Sequence, residues 1–581
     1  MEGASIGLKK NKIVGVAIMF LACTFISCGE KQTKEESEVI EVTGKNESQE
    51  ENQDTNEMGE EKIDLEANTT EDGLEEKDWS QIYTVSEYTP NPDRLQNLNL
   101  SSDLDKYDLE VDTDQGVYDS EFTVTLEAEN AIMEGNVVAE DDVNGYTGTG
   151  YINGIQGQGD TVTFQFTVPG DGNYDLDFVS CGYYGDKQNI VSLDGINIGN
   201  TEVASGKKFV DCIMTGVYME AGEHEIEVSC SWGWVLIDKL IVTAQKSQSP
   251  KKEMTAELID PYATKRTKQL MQFLVDINGD YVLSGQYADA GQSSAEFDVI
   301  RTTTGREPAI LGLDLIECSP SRVSHGSKSQ AYVRAKAFDE AGGIITLCWH
   351  WNAPEQYLYN TDDNPWWNGF RTEGSTINLG KIMNGYDQEG YDALMSDIDV
   401  IAFQLKRLQE LDIPILWRPL HEASGGWFWW GASGAEAYIE LWKVLYEKLT
   451  YEHGLHNLIW VWNGQDADWY PGDEYVDIIG EDIYPGYHVY SSQSSKYNEA
   501  AAYTSANKMI TLSENGCLFD PNLAFRDGTV WSWFCTWSGE FVLKNGALSE
   551  DYTESTMFDH VYNHKKVITL DELPNLKTYG D

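Results

Sequence analysis

Residues 415–431 read ILWRPLHEASGGWFWWG, and residues 509–516 read MITLSENG. Each is an apolar run that reaches a glutamate, Glu422 or Glu514, just before a glycine-containing loop. An apolar run of this length bounded by glycine reads as a buried strand. Both carboxylates therefore fall at the C-terminal ends of strands. Working outward from about residue 260, strand and helix patterns alternate. Strand candidates lie at 281–286, 309–315, 343–351, 413–420, 458–464, 475–482, 508–513 and 531–536. Residues 393–411, ALMSDIDVIAFQLKRLQEL, carry apolar positions at three-to-four spacing, and AEAYIELWKVLYEKLTYEHG closes on Gly454. Repeated β/α units of this kind predict a (β/α)8 barrel, an α/β TIM barrel, over 261–575. Glu422 would end its fourth strand and Glu514 its seventh. In this barrel, functional groups gather at the C-terminal strand ends.

The chemistry follows from two carboxyls beside many indoles. Glycosidic cleavage needs one carboxyl to protonate the leaving oxygen and a second to capture or stabilise the oxocarbenium-like centre. A carboxylate at the end of an apolar strand is costly unless paired. Arg418 is close enough in sequence to Glu422 to offer a structural ion pair instead. The chain has 18 Trp and 31 Tyr, many in glycine-rich or polar segments such as Trp366-Trp367 and Trp427 to Trp430. Aromatics in such surroundings predict exposed platforms for sugar rings.

Composition narrows the partners. The 581 residues are too many for one core, so two or three domains are expected. With 40 Lys+Arg against 97 Asp+Glu, the net charge is −57, which disfavours nucleic acid and other polyanions. A neutral polysaccharide fits better. The nine cysteines show no metal spacing. Cys23 and Cys28 fall in the leader, and the other seven sit in strand-like contexts that predict buried thiols. A bridge of Cys181 with Cys212 or Cys230 stays open.

The N-terminal part reads in segments. Lys9, Lys10 and Lys12 precede an apolar stretch, Ile13 to Ile26, too short to span a bilayer comfortably. It ends in Ser27-Cys28-Gly29, which resembles a bacterial lipobox. Residues 1–28 are expected to be a lipoprotein signal peptide cleaved before a lipidated Cys28, giving a membrane-anchored protein on the surface of a bacterium. Residues 29–80 are rich in Glu, Gln, Asn and Thr and are expected to form a disordered acidic tether. Residues 81–120 form an ambiguous lead-in. Over 121–245, runs such as DTVTFQFTV and NYDLDFVS alternate with Gly, Asn and Asp turns, which predicts a β-sandwich. Residues 246–260 read as a linker.

The motif WRPLHE, then GGWFWWG, then SENG resembles glycoside hydrolase family 26, a retaining barrel family dominated by β-mannanases. The resemblance covers roughly 260–570. It implies Glu422 as acid/base and Glu514 as nucleophile, with no catalytic cofactor. His421 before Glu422 matches the family, where most of the clan has Asn. After His-Glu the family often has an apolar residue and Asn-Gly; here Ala423-Ser424-Gly425 stands instead, which leaves the leaving-group contacts open. Tyr484 matches a family tyrosine beside the nucleophile, and Trp427 matches an indole five residues after the acid/base. His350 is expected to donate to the sugar nearest the cleaved bond. His421 is expected to touch that sugar or tune Glu422. HEASGG is not HExxH, so zinc is not expected. Trp430 and Trp537, with Trp351 and Trp533, are further platform candidates, and Trp366-Trp367 are candidates for distal subsites.

LEAEN (126–130), GYTGTGYING and SWGWVLIDKLIV resemble a family 35 carbohydrate-binding module, a jelly-roll sandwich. The resemblance implies a structural calcium on Glu127, Glu129 and Asp238. Carboxylates suit that hard cation. It also points to Trp232 and Trp234 as sugar-contacting aromatics. The whole reads as a monomeric retaining endo-β-1,4-mannanase acting on mannan, glucomannan or galactomannan. Mixed-linkage β-glucanase or β-1,3-xylanase activity within the same family is the alternative, and a non-catalytic surface glycan-binding lipoprotein is the alternative from another class.

Overall fold

A computed structural model describes residues 116–246, 254–289 and 294–580. The lipobox with Cys28, the tether over 29–80, most of the lead-in and residues 247–253 of the linker lie outside the described residues.

The first part is a two-sheet sandwich. Its strands are β1 (Thr123–Glu127), β2 (Ile132–Glu134), β3 (Val138–Glu140), β4 (Tyr151–Asn153), β5 (Thr161–Val168), β6 (Gly172–Cys181), β7 (Lys187–Leu193), β8 (Ile196–Val203), β9 (Ile213–Met219), β10 (Gly222–Trp232) and β11 (Leu236–Ala244). One antiparallel sheet runs β3-β4-β11-β6-β9, with β1 also on β11; the other runs β2-β5-β10-β7-β8. Alternation decides which residues face inward. In TVTFQFTV, Val162, Phe164, Phe166 and Val168 are buried while their neighbours face out. They meet Leu176, Phe178, Leu240 and Val242 of the other sheet in one core.

The second part is a closed barrel in chain order. Its strands are all parallel: β13 (Gly285–Tyr287), β14 (Ile310–Asp314), β15 (Ile344–Trp349), β16 (Ile415–Pro419), β17 (Leu458–Trp462), β18 (Ile478–Ile483), β19 (Met509–Asn515) and β20 (Phe534–Thr536). Each sequence-predicted strand has its counterpart. The first differs in form: 281–286 splits into β12 (Val282–Leu283), which pairs with Val567–Ile568 outside the barrel, and β13 inside it. Ser284 makes the break, because its N–H and hydroxyl both donate to the Ile568 carbonyl. β15, β18 and β19 are buried along their whole length, as expected for parallel strands covered on both faces.

Helices clothe the strands. The helix Gln388–Glu410 starts on Asp387, whose carboxylate accepts the Gly390 N–H at 2.8 Å. It buries Leu394, Ile398, Ile401, Leu405 and Leu408, one stripe at three-to-four spacing. Each such side chain contributes about 1.5–3 kcal/mol on burial. The helix Ala435–Glu447 runs on into a π-turn, Lys448–Glu452, and ends at Gly454 with φ 62°.

Sandwich and barrel touch through β9 and the helix Ser494–Ala501. Asn498 Nδ2 donates to the Gly216 carbonyl at 2.8 Å. Gly216 has φ 66°, and a Cβ there would stand 2.4 Å from the Asn498 amide, so glycine is required twice over. The Arg526 guanidinium sits 5.5 Å from the centre of the Tyr218 ring. Cys181, Cys212, Cys230, Cys318, Cys348, Cys517 and Cys535 are all free thiols, so the bridge left open for Cys181 does not form.

Candidate active site

Eight parallel strands place their C-terminal ends around one mouth, and the chemistry-bearing side chains collect there. β16 ends at Pro419, after which the chain turns sharply. Leu420 has φ 50° and Glu422 φ 53°, a conformation costly for non-glycine residues. The strain is held by the two residues that follow β17: the Glu422 N–H donates to the Asn463 carbonyl at 2.8 Å and the Ser424 N–H to the Gly464 carbonyl at 3.2 Å. Glu514 lies within β19 itself, buried and bonded to Arg418 of β16. One carboxylate oxygen each from Glu422, Glu514 and Asp482 lies within 4.8 Å of the others.

Arg418 organises the group. Its guanidinium is fully buried and donates to Glu514 Oε2 at 2.5 Å, to Asp482 Oδ2, to Asn463 Oδ1 at 3.0 Å and to the Tyr287 hydroxyl at 3.2 Å. The ion pair considered between Arg418 and Glu422 is therefore made with Glu514 and Asp482 instead. Removing the guanidinium would leave buried carboxylates uncompensated, a loss of about 3–5 kcal/mol. Tyr484, partly exposed, donates its hydroxyl to Glu514 Oε1. Both oxygens of Glu514 thus accept a hydrogen bond.

Glu422 has a different environment. Its Oε2 accepts the Trp427 indole N–H at 2.8 Å. Burial raises its pKa to about 7, the negative charge of Glu514 adds to the rise, and Trp427 and Arg418 oppose it. Burial also pushes the Asp482 carboxyl well above the usual range; Arg418 pulls it back, while Glu514 and Glu422 raise it further. The site therefore pairs a carboxyl that holds its proton near neutrality with one that faces a fixed guanidinium. That division suits proton delivery by the first and attack by the second.

The aromatic run resolves into separate jobs. Trp427 is partly exposed beside Glu422, fixed by the Thr372 N–H to its carbonyl at 2.9 Å. Trp430 corrects the platform expectation: it is 0% exposed, and its indole N–H donates to the His421 carbonyl at 2.8 Å. Trp429 is likewise buried, with its N–H on the Trp351 carbonyl at 2.6 Å. The loop folds back because Gly431 packs on Ala423; a Cβ would stand 2.0 Å from the Ala423 carbonyl oxygen. Trp351 and Trp533 are also buried and offer no face to a ligand. Trp537 is partly exposed and packs on Tyr287 and His350 at ring distances of 4.7 and 5.7 Å. Trp367 is 47% exposed, and Trp366 stacks on His325 at 4.4 Å.

The histidines also depart from expectation. His350 Nδ1 meets Asp314 Oδ2 at 2.7 Å and its Nε2 meets His421 Nε2 at 3.1 Å, which leaves no ring nitrogen for a sugar. His421 is 1% exposed, so acting through Glu422 suits it better than touching a ligand. Sequence reasoning missed Asp482, Asn463, Asp314 and Tyr287. An ionisable or amide group inside a buried strand run, as in IIGEDI, was the available signal for Asp482.

In the sandwich, Glu127, Glu129 and Asp238 converge on the loop at Thr147 to Thr149. Thr147 donates its hydroxyl to Glu127 Oε2 at 2.9 Å and its N–H to Asp238 Oδ1 at 2.7 Å; Thr149 donates its N–H to Glu129 Oε1 at 2.6 Å. Glu129 Oε2 is buried without a hydrogen bond, and Lys239 Nζ stands 3.5 Å from Asp238. Carboxylate oxygens are the donors a calcium ion prefers, but Lys239 already supplies positive charge there, and the three groups do not bring one oxygen each within 4.8 Å of the others. Trp234 is 47% exposed with φ 71° and meets Tyr184 edge-on at 5.9 Å. The Trp232 side chain lies outside the described residues.

A barrel of this form with facing carboxyls at its C-terminal mouth defines a glycoside hydrolase. Residues 259–572 match Glycosyl hydrolase family 26, and residues 124–245 match Carbohydrate binding module (family 35). The chain belongs to glycosyl hydrolase family 26, with a carbohydrate-binding module N-terminal to the catalytic domain. It is 37% identical over 449 residues to a mannan endo-1,4-beta-mannosidase of Thermothelomyces thermophilus, covering 77% of this chain and 90% of that one. Against mannan endo-1,4-beta-mannosidase B of Piromyces sp the identity is 33% over 469 residues, with 78% of each chain covered. The crystal structure of Podospora anserina GH26-CBM35 beta-(1,4)-mannanase superposes with a TM-score of 0.55 at 37% identity, covering 79% of this chain and all of that one.

Proposed function

We propose that this protein is a retaining endo-β-1,4-mannanase in which Glu422 is the acid/base and Glu514 the nucleophile. The observation that carries the reading is that one oxygen of each carboxyl lies within 4.8 Å of one of the other, at different ends of one buried charge network. Retaining enzymes hold their carboxyls about 5–5.5 Å apart, whereas inverting ones leave about 6.5–9.5 Å for a water. Glu422 protonates the glycosidic oxygen as Glu514 attacks the anomeric carbon. Glu422 then takes a proton from water, which releases the sugar with its configuration kept. The names of the relatives favour β-mannan as the polymer. The deciding assay compares reducing-sugar release from mannan, barley glucan and β-1,3-xylan, with the anomer of the first product read by NMR. Preference for glucan or xylan would change the substrate, and an inverted product would remove the nucleophile.

The sandwich is proposed to bind the same polymer through Trp234 and to hold calcium on Glu127, Glu129 and Asp238. In the full-length protein, Trp234→Ala should weaken retention on insoluble mannan while leaving kcat on soluble oligosaccharide unchanged. Calcium should raise, and EDTA lower, the melting temperature of the sandwich, because an ion bound only by the folded form stabilises it. No shift with either would reject the metal.

Cys28 is proposed as the lipid anchor. Activity should fractionate with membranes, and Cys28→Ala should release it or leave an uncleaved precursor. Wild-type activity found wholly in the medium would reject the anchor.

A further inference from the structure

Behind Glu422 a short relay crosses three strand ends. Asp314 closes β14, His350 follows β15, and His421 follows β16. Asp314 is fully committed. Its Oδ1 accepts two backbone N–H groups, from Ile316 at 2.9 Å and from His350 at 3.1 Å, and its Oδ2 meets His350 Nδ1 at 2.7 Å. His350 Nε2 then meets His421 Nε2 at 3.1 Å, with the rings 82° apart. The chain ends at His421 Nδ1, which is buried and has no hydrogen-bond partner among the described residues.

The protons on this chain can be assigned by elimination. Asp314 is held below the usual carboxylate range; burial opposes this, but the hydrogen bonds of His350 and Ile316 to it win. An ionised carboxylate only accepts, so His350 Nδ1 must carry a proton. His421 is held neutral by burial and by the positive charge of Arg418. Only one proton can lie between the two Nε2 atoms. A proton on His421 Nδ1 would find no acceptor among the described residues, so the His421 proton lies on Nε2; His421 donates, and His350 Nε2 is the lone pair. His421 is then the Nε2–H tautomer, and its buried Nδ1 carries a lone pair.

We propose that Asp314 is a positioning residue which, through His350, fixes the direction of the hydrogen bond to His421 and so the tautomer beside Glu422. The neighbouring residues make this consequential. Trp430 grips the His421 carbonyl, and the next residue is Glu422 in its strained conformation. A reversed tautomer would put a proton on the buried Nδ1, where no acceptor waits, and would move the ring that anchors the acid/base turn.

The inference rests on Glu422 being the acid/base, and its test separates the two. Asp314→Asn is the informative change. Its carbonyl oxygen can still accept the two backbone N–H groups, so its amide must face His350 Nδ1 and donate to it. That forces His350 to carry its proton on Nε2 and reverses the whole chain. In full-length protein, D314N should stay folded, with a melting temperature a few degrees below wild type for the unpaired buried N–H, but lose on the order of 10–100-fold in kcat on soluble mannan, with KM changed little. D314A should lose less than D314N, because His350 is then free to take either tautomer. In a His350→Ala background, D314N should add no further loss, since the path to His421 is cut. Spectra of ¹⁵N-labelled histidine read the tautomers without turnover. They should show a protonated His350 Nδ1 in wild type and its reversal in D314N. Unchanged tautomers, a D314N rate within about three-fold of wild type, or an equal D314N loss without His350 would each overturn the proposal. Expected tautomers in a protein inactive on mannan would uphold the relay and overturn only the assigned substrate.

Discussion

Glu514→Gln is expected to lower kcat on mannan by on the order of 10⁴-fold or more while the fold stays intact. Glutamine matches the shape of glutamate, and its carbonyl oxygen can still accept from Arg418. It cannot form the glycosyl ester, so the first displacement has no nucleophile. Loss of the negative charge also leaves Arg418 facing Asp482 alone, so a moderate change in melting temperature is expected. Glu514→Ala makes a sharper test. The vacated space admits azide, which should attack an activated β-mannoside and give the inverted α-azide. A rate within about tenfold of wild type for either variant would remove Glu514 from the mechanism.

For Glu422→Ala the expected loss depends on the leaving group. On mannan, whose leaving sugar needs a proton, the loss should be about 10²–10⁴-fold. On a dinitrophenyl glycoside, whose leaving group departs unprotonated, formation of the glycosyl-enzyme should be nearly unaffected. Hydrolysis of that intermediate should then limit turnover, because no base activates water, and azide should restore it with retention. The pH profile tests the same residue. The acid works only while protonated, so wild-type kcat/KM should fall as pH rises through about 7, the value to which burial and Glu514 raise Glu422. That alkaline limb should vanish for Glu422→Ala on the activated substrate. Equal losses on both substrates would contradict the acid role.

The two carboxylates share a strand-end position, yet the structure makes them unlike. Arg418 and Tyr484 hold Glu514, while Trp427 donates to Glu422. Asp482 is the third carboxyl, locked to Arg418 and to the Ser513 hydroxyl at 2.8 Å. It balances the guanidinium, so that Arg418 is shared and not spent on Glu514 alone. Burial and the charge of Glu514 keep the proton on Glu422, and Arg418, engaged by Glu514 and Asp482, opposes them only in part.

The sequence by itself determined the order and kind of the elements. Strand and helix periods are local properties of a chain, and the runs at 309–315, 343–351 and 413–420 carry them in full. The same locality made Glu422 and Glu514 visible, since a charge closing an apolar run is anomalous wherever the run folds. It also made the sandwich visible, through period-two alternation in β5 and its neighbours. What only the tertiary structure decided is which groups face one another. Trp427 and Trp430 are three residues apart in one loop, yet one stays partly exposed beside Glu422 and the other is sealed under His421. Composition around them is the same; the fold-back at Gly431 separates them. Arg418 is four residues from Glu422 but reaches Glu514 and Asp482, because barrel closure brings β18 and β19 across from β16. The relay from Asp314 to His421 joins the ends of three neighbouring strands separated by long helical connections, and no local pattern encodes a contact that strand pairing creates.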